Sequence, residues 1–192
     1  MELQLLLVVL VLLPSCGGHF LEHCHGQPCP DYYVLEANED FEVRQYPPTD
    51  WISTIVEGPD LSAFMAARSR LVDFCGKLPG SDQVCQDTWP AIFTISEMTD
   101  GQKVTLSWFI PPGTNIEMSD SSVTVEHRPP AIVFASSFSG FPAVGNSQEH
   151  MDVLRKSLTK AGKIFNPHKY IGASYDGFLA LSHYNEVWMF AV

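Results

Sequence analysis

Two stretches of this chain share one layout: FEVRQYPPTDWISTIVEG, Phe41 to Gly58, and VTVEHRPPAIVFASSFSG, Val123 to Gly140, 82 positions further on. An internal repeat constrains a fold strongly, because each copy must bury its apolar faces against the other or against its own helices. Val43, Pro47, Pro48 and Gly58 fall on Val125, Pro129, Pro130 and Gly140. Each copy therefore reads as a strand, a Pro-Pro turn, a second strand and a Gly-marked break, which predicts a hairpin.

The correspondence continues past the Gly. PDLSAFMAARSRLVDFCGK and NSQEHMDVLRKSLTKAGKIF both place apolar residues at helical spacing, Leu61, Phe64, Met65, Leu71, Val72 and Cys75 in one, Met151, Leu154, Leu158, Ala161 and Phe165 in the other. Beyond the helices, Trp89, Ala91 and Phe93 overlie Ile171, Ala173 and Tyr175, and the alternating Leu106, Trp108 and Ile110 overlie Trp188, Phe190 and Val192. Identities at this offset are few; the shared order of turns and apolar periods carries the resemblance between the two halves. Two β-β-α-β-β units, half-repeats at about 41–110 and 123–192, predict an α+β fold: a distorted eight-stranded antiparallel β-barrel flanked by two long helices, with approximate twofold symmetry.

The compartment follows from the ends and the cysteines. Leu5 to Leu13 is unbroken apolar sequence, too short to span a bilayer, and is followed by the small residues Ser15, Cys16, Gly17 and Gly18. Residues 1–18 read as a signal peptide, with cleavage leaving His19 first, and the expected location is extracellular; a lipoprotein box at LPSC is the competing reading. The remaining Cys24, Cys29, Cys75 and Cys85 are even in number, as expected of disulfides in an oxidising compartment. Three pairings exist; Cys24 with Cys29 and Cys75 with Cys85 close the shortest loops. HCHGQPC, in the segment 19–32, also offers metal-ligand types, but no second ligand pair stands at finger spacing. Roughly 170 mature residues make one domain. With 22 acidic against 11 basic side chains, no nucleic-acid or anionic-membrane surface is expected, and no later run is long enough for a transmembrane segment.

FEVRQYPPTDWIS, SWFIPPG, SVTVEHRPPAIVFASSFSGF, GASYDGFLAL and NEVWMF together resemble the SOUL, or heme-binding protein, family from Tyr33 to the C-terminus. The resemblance implies a distorted eight-stranded barrel with two helices and a non-covalent heme or related tetrapyrrole as partner. Two departures stand out. The family's MTAPV signature is DTWPA here, Asp87 to Ala91, and a histidine that some members carry as a candidate iron ligand is Gln45 in this chain. An amide is a poor heme ligand, whereas His127, the counterpart of Gln45 in the second copy, offers an imidazole at the end of a strand.

Heme asks for an apolar slot and for cations at its propionates. On the first helix Phe64, Met65 and Leu71 supply apolar surface, and Arg68 and Arg70 lie in or beside the same stripe, suited to clamp a carboxylate. The structural alternatives are that Arg68 lays its stem over the sheet, that Met65 fills the core, and that His127 bonds only to backbone or water. No GxSxG, HExxH or phosphate-cradling Gly loop occurs, and the carboxylates are scattered, so no enzyme is expected. A second reading is a protein- or membrane-interaction module acting through an amphipathic helix at 151–165, with heme binding lost.

Overall fold

The structure is a computed structural model that describes residues 22–78, 88–116, 120–140, 144–177 and 180–192. The leader at 1–18 and Cys85 lie outside the described residues. A short 3-10 turn at Glu22–Cys24 precedes β1 (Tyr33–Ala37), β2 (Glu42–Tyr46), β3 (Thr49–Val56), α1 (Leu61–Gly76), β4 (Ala91–Met98) and β5 (Gly101–Ile110). The second half supplies β6 (Thr124–Arg128), β7 (Ala131–Ser139), α2 (Val144–Lys160), β8 (Phe165–Ser174) and β9 (Tyr184–Ala191).

All nine strands join one antiparallel sheet in the order β1-β2-β7-β9-β8-β4-β5-β3-β6. The α+β class is as expected, but the eight-stranded closed barrel is not what forms. Closure would need β2 to pair with β6, and the outer edge of β2 is taken by β1. That ninth strand escapes sequence reading because all five of its residues are exposed and show no in-out alternation.

The Pro-Pro turns do not make hairpins either. β2 pairs with β7 and β3 with β6, so each strand flanking one Pro-Pro corner binds a strand flanking the other. Proline has no N–H to close a ladder, and the residue before it is held extended, so the chain runs on at Pro47–Pro48 and Pro129–Pro130 instead of folding back. The two crossings share a register: Gln45 opposes Ile132 where His127 opposes Asp50, and Tyr46 opposes Ala131 where Arg128 opposes Thr49. Exchanging β2, β3, β4 and β5 for β6, β7, β8 and β9 reverses the order of these eight strands onto itself.

Asp60 caps α1, its carboxylate accepting from the Ala63 N–H at 2.8 Å. Ala67, Leu71 and Phe74 form the buried face of the helix, packed with Ile52, Leu106 and Ile110. α2 buries Met151, Leu154 and Leu158 against Phe134, Tyr170, Val187 and Met189. It begins at Val144 and stops at Lys160, short of the expected Phe165: Gly162 adopts φ 65° and the Gly162 and Lys163 N–H groups donate to Thr159 and Leu158 carbonyls. Gly172 on β8 admits α2 closely, since a Cβ there would stand 2.9 Å from Ser147 Oγ.

Neither α1 nor α2 packs on the opposite face of the sheet. Tyr46, Trp51, Ile92, Phe109, Val133, Ile171 and Trp188 are nevertheless buried there, with Cys24, Cys29 and Tyr32 of the N-terminal segment packed against them. The Cys24–Cys29 disulfide forms as expected. Cys75 is buried and disulfide-bonded, while Cys85, its expected partner, lies outside the described residues.

Candidate functional site

Helical geometry splits the residues expected to hold a ligand into two sets. Leu71 is fully buried and Phe64 packs on Phe93 with ring centroids 5.2 Å apart, so both belong to the core. Arg70 is tied to the sheet: its Nε donates to Thr54 Oγ1 at 2.9 Å and its Nη2 to the Ile55 carbonyl. Arg70 therefore anchors α1 to β3 and is not a free cation.

Met65 and Arg68 point elsewhere. Leu61 (58% exposed), Met65 (43%) and Val72 (39%) stand with exposed Arg68 at positions i, i+4, i+7 and i+11 of α1, one continuous stripe on its solvent side. Exposed apolar side chains in a row on a helix mark a contact surface more strongly than single ones do. Among the described residues Arg68 has no ion-pair or hydrogen-bond partner. Its guanidinium is thus available to a carboxylate lying on the stripe. Sequence periodicity did not separate Leu61 and Val72 from the buried Leu71, because the stripe and the core face adjoin on one helix.

His127 is not a residue of α1. It lies on the edge strand β6, whereas α1 packs on β3 and β5. Its ring is 70% exposed and its Nδ1 meets Asp50 Oδ1 at 2.7 Å. A carboxylate on one ring nitrogen fixes the orientation of the other, the arrangement common behind metal-bound imidazoles. Gln45, its counterpart, is exposed on β2. In the N-terminal segment the disulfide removes both thiolates from HCHGQPC; His23 stacks on Tyr184 at 3.7 Å, and His25 bonds to the Tyr175 carbonyl and to Asp176. No group of three or more His, Cys, Asp or Glu suited to a metal occurs among the described residues.

The interaction helix at 151–165 also reads differently in three dimensions. Met151, Leu154 and Leu158, its apolar face, are at most 1% exposed and fully engaged by the sheet. Residues 161–164 leave the helix, and Phe165 begins β8. Among the described residues no helix is long and apolar enough to cross a membrane.

One group unforeseen in the sequence lies on the helix-free face. Glu186 is buried and accepts hydrogen bonds from Arg44 Nη1 and Nη2, Tyr175 Oη, Tyr184 Oη and Trp188 Nε1, all between 2.7 and 2.9 Å. Burial pushes its carboxyl up, but the Arg44 charge and these donors outweigh burial and hold it below the usual range. Burial likewise lowers the Arg44 guanidinium, and Glu186 more than restores it, so the pair stays charged. The five bonds satisfy the Glu186 carboxylate within the protein and tie β2 and β9 to Tyr175, just past the end of β8.

A family model described as "SOUL heme-binding protein" matches residues 27–190. The chain is 28% identical over 197 residues to Heme-binding protein 2 of Mus musculus, covering 85% of this chain and 93% of that protein. It is 30% identical over 161 residues to Heme-binding protein 2 of Homo sapiens, covering 78% and 77%. Its fold is similar to the EcmrR C-terminal domain, with TM-score 0.59, 11% identity and coverage of 84% of this chain and 98% of that one. A structure described as a hydrolase from Listeria innocua gives TM-score 0.60 at 11% identity, with 82% and 94% covered. At such identity these two likenesses concern the fold alone. The match across nearly the whole domain, together with the two mammalian relatives, places this chain in the SOUL heme-binding protein family.

Proposed function

We propose that the protein is a secreted, non-enzymatic binder of heme or a related tetrapyrrole, and that the ligand rests on the outer stripe of α1. The observation that carries this reading is the exposed row Leu61, Met65, Arg68 and Val72. Its residues fit the ligand in two respects: three apolar side chains suit a porphyrin face, and an unpartnered guanidinium suits a propionate. The family's name and the two relatives named for heme binding support the same ligand class. Bound heme would bring an iron centre and a conjugated ring; the chain's own part is to shield one ring face and to neutralise a carboxylate. His127 pairs with Asp50 and is not assigned as an iron ligand.

Non-enzymatic action is supported by the way the buried charges are used. Glu186 and Arg44 neutralise one another, so neither is a free acid or base. Secretion is supported by the Cys24–Cys29 disulfide, a bond that persists in oxidising compartments. The reciprocal pairing of β2 with β7 and β3 with β6 supports reading the domain as two interlocked copies of one unit.

Titration with hemin tests the ligand: a saturable change in the Soret band at one equivalent is expected, and a featureless response contradicts it. Sequencing the N-terminus of protein recovered from the medium of expressing animal cells tests secretion. His19 is the expected first residue, and retention inside the cells with Met1 intact contradicts that part of the reading.

A further inference from the structure

On the helix-free face, remote from α1, three neighbouring strands present a row of Lys103 on β5, Ser96 on β4 and Lys169 on β8, because Ser96 is the register partner of both lysines. Adjacent strands lie about 4.8 Å apart, so the two lysine backbones straddle Ser96 at roughly 10 Å. The next residues inward on the same face are Thr105 and Thr94, again direct partners. These side chains, with Glu126 and Arg128 of β6, line a cavity of about 170 Å³.

The charges in this cavity do not cancel. Arg128 pairs with Glu126 at 2.9 Å and lies over the Trp51 ring at 5.0 Å. Neither lysine pairs with a carboxylate among the described residues. Three cations against one carboxylate leave a local charge of +2 on a chain whose net charge is −11. Burial first, and then the nearby Arg128 charge, lowers the Lys169 ammonium, and Glu126 offsets this only in part. Burial likewise lowers the Arg128 guanidinium, which Glu126 offsets only in part.

We propose that this cavity binds a doubly charged oxyanion of the phosphate type, either the free ion or a phosphate monoester. Lys103 and Lys169 grip it from either side, Arg128 supplies a third positive charge, and the Ser96, Thr94 and Thr105 hydroxyls donate from the floor. A dianion matches the local excess of two positive charges. The site faces away from the stripe assigned to heme, so it stands whether or not heme binds.

Calorimetric titration of the whole protein with inorganic phosphate, and in a second arm with phenyl phosphate, tests this at ionic strength fixed with sodium chloride. Saturable one-to-one binding is expected, with amide shifts concentrated at Ser96, Lys103, Thr105 and Lys169 in nuclear magnetic resonance spectra. The double variant Lys103→Gln/Lys169→Gln should weaken binding by about tenfold or more, since charge-assisted hydrogen bonds are the strong ones. Lys156→Gln on the exposed side of α2 should leave it unchanged. Tighter binding of phenyl phosphate would identify a monoester as the ligand, and equal binding the free ion. Absence of saturable binding to either, or full affinity in the double variant, overturns the proposal.

Discussion

Arg44 and Glu186, 142 residues apart in sequence, form a buried two-pronged ion pair with Nη1–Oε2 and Nη2–Oε1 distances of 2.9 and 2.8 Å. Both are almost inaccessible to water, with side chains 6% and 1% exposed. Breaking such a pair from one side leaves a buried charge unpaired, at a cost of about 3–5 kcal/mol. Glu186→Gln should therefore lower unfolding free energy by about that amount in urea titration. A change below about 1 kcal/mol would mean that Arg44 finds another partner.

The same pair sets the acid limit of stability. In the fold the Glu186 carboxyl lies below its ordinary value, so its contribution is present above the unfolded carboxyl pKa of about 4.3 and is lost as pH falls through the folded value. Stability curves of wild type and Glu186→Gln should separate above that pH and converge in acid. Parallel curves throughout would assign the acid loss to other carboxylates.

At the alkaline end the tyrosines around this node decide. Burial, chiefly, pushes the Tyr32 phenol up to about 12 and Tyr175 well above its ordinary value. A phenol whose folded pKa is raised stabilises fully below the unfolded value near 10 and loses that contribution as pH rises past it. An ultraviolet absorbance titration should show these phenolates appearing together with unfolding; early, reversible ionisation within the native state would contradict their burial.

Leu158 on α2 is fully buried whereas Val153 on the same helix is 54% exposed. Leu158→Ala should cost about 2–5 kcal/mol and Val153→Ala within about 0.5 kcal/mol, read from denaturant midpoints. Equal small effects would reopen α2 as an unoccupied docking helix.

How far the sequence disclosed this molecule depends on whether the information was local. Alternation of Leu106, Trp108 and Ile110 marks β5, and the helical spacing of Leu154 and Leu158 marks α2, because each pattern is read within one element. Strand partners are a non-local choice. The Pro-Pro corners looked like hairpins, yet β2 meets β7 and β3 meets β6. The same limit hid the Arg44–Glu186 pair and the Lys103–Ser96–Lys169 row, whose members meet only through register. Of the residues expected to hold a ligand, Met65 and Arg68 lie on the exposed stripe, while Leu71 and Arg70 went to packing and tethering because apolar spacing does not say which flank of a helix the sheet covers.

The most direct measurement of the central claim is a hemin titration of the wild type beside a Met65→Gln/Arg68→Gln variant, with His127→Ala as control. Both changed residues on α1 are exposed, so the variant should fold normally. One saturable equivalent is expected for wild type, affinity weakened about tenfold or more in the α1 variant, and an unaltered Soret spectrum in His127→Ala. Undiminished binding by the α1 variant, or a spectrum changed only by His127→Ala, would contradict that claim.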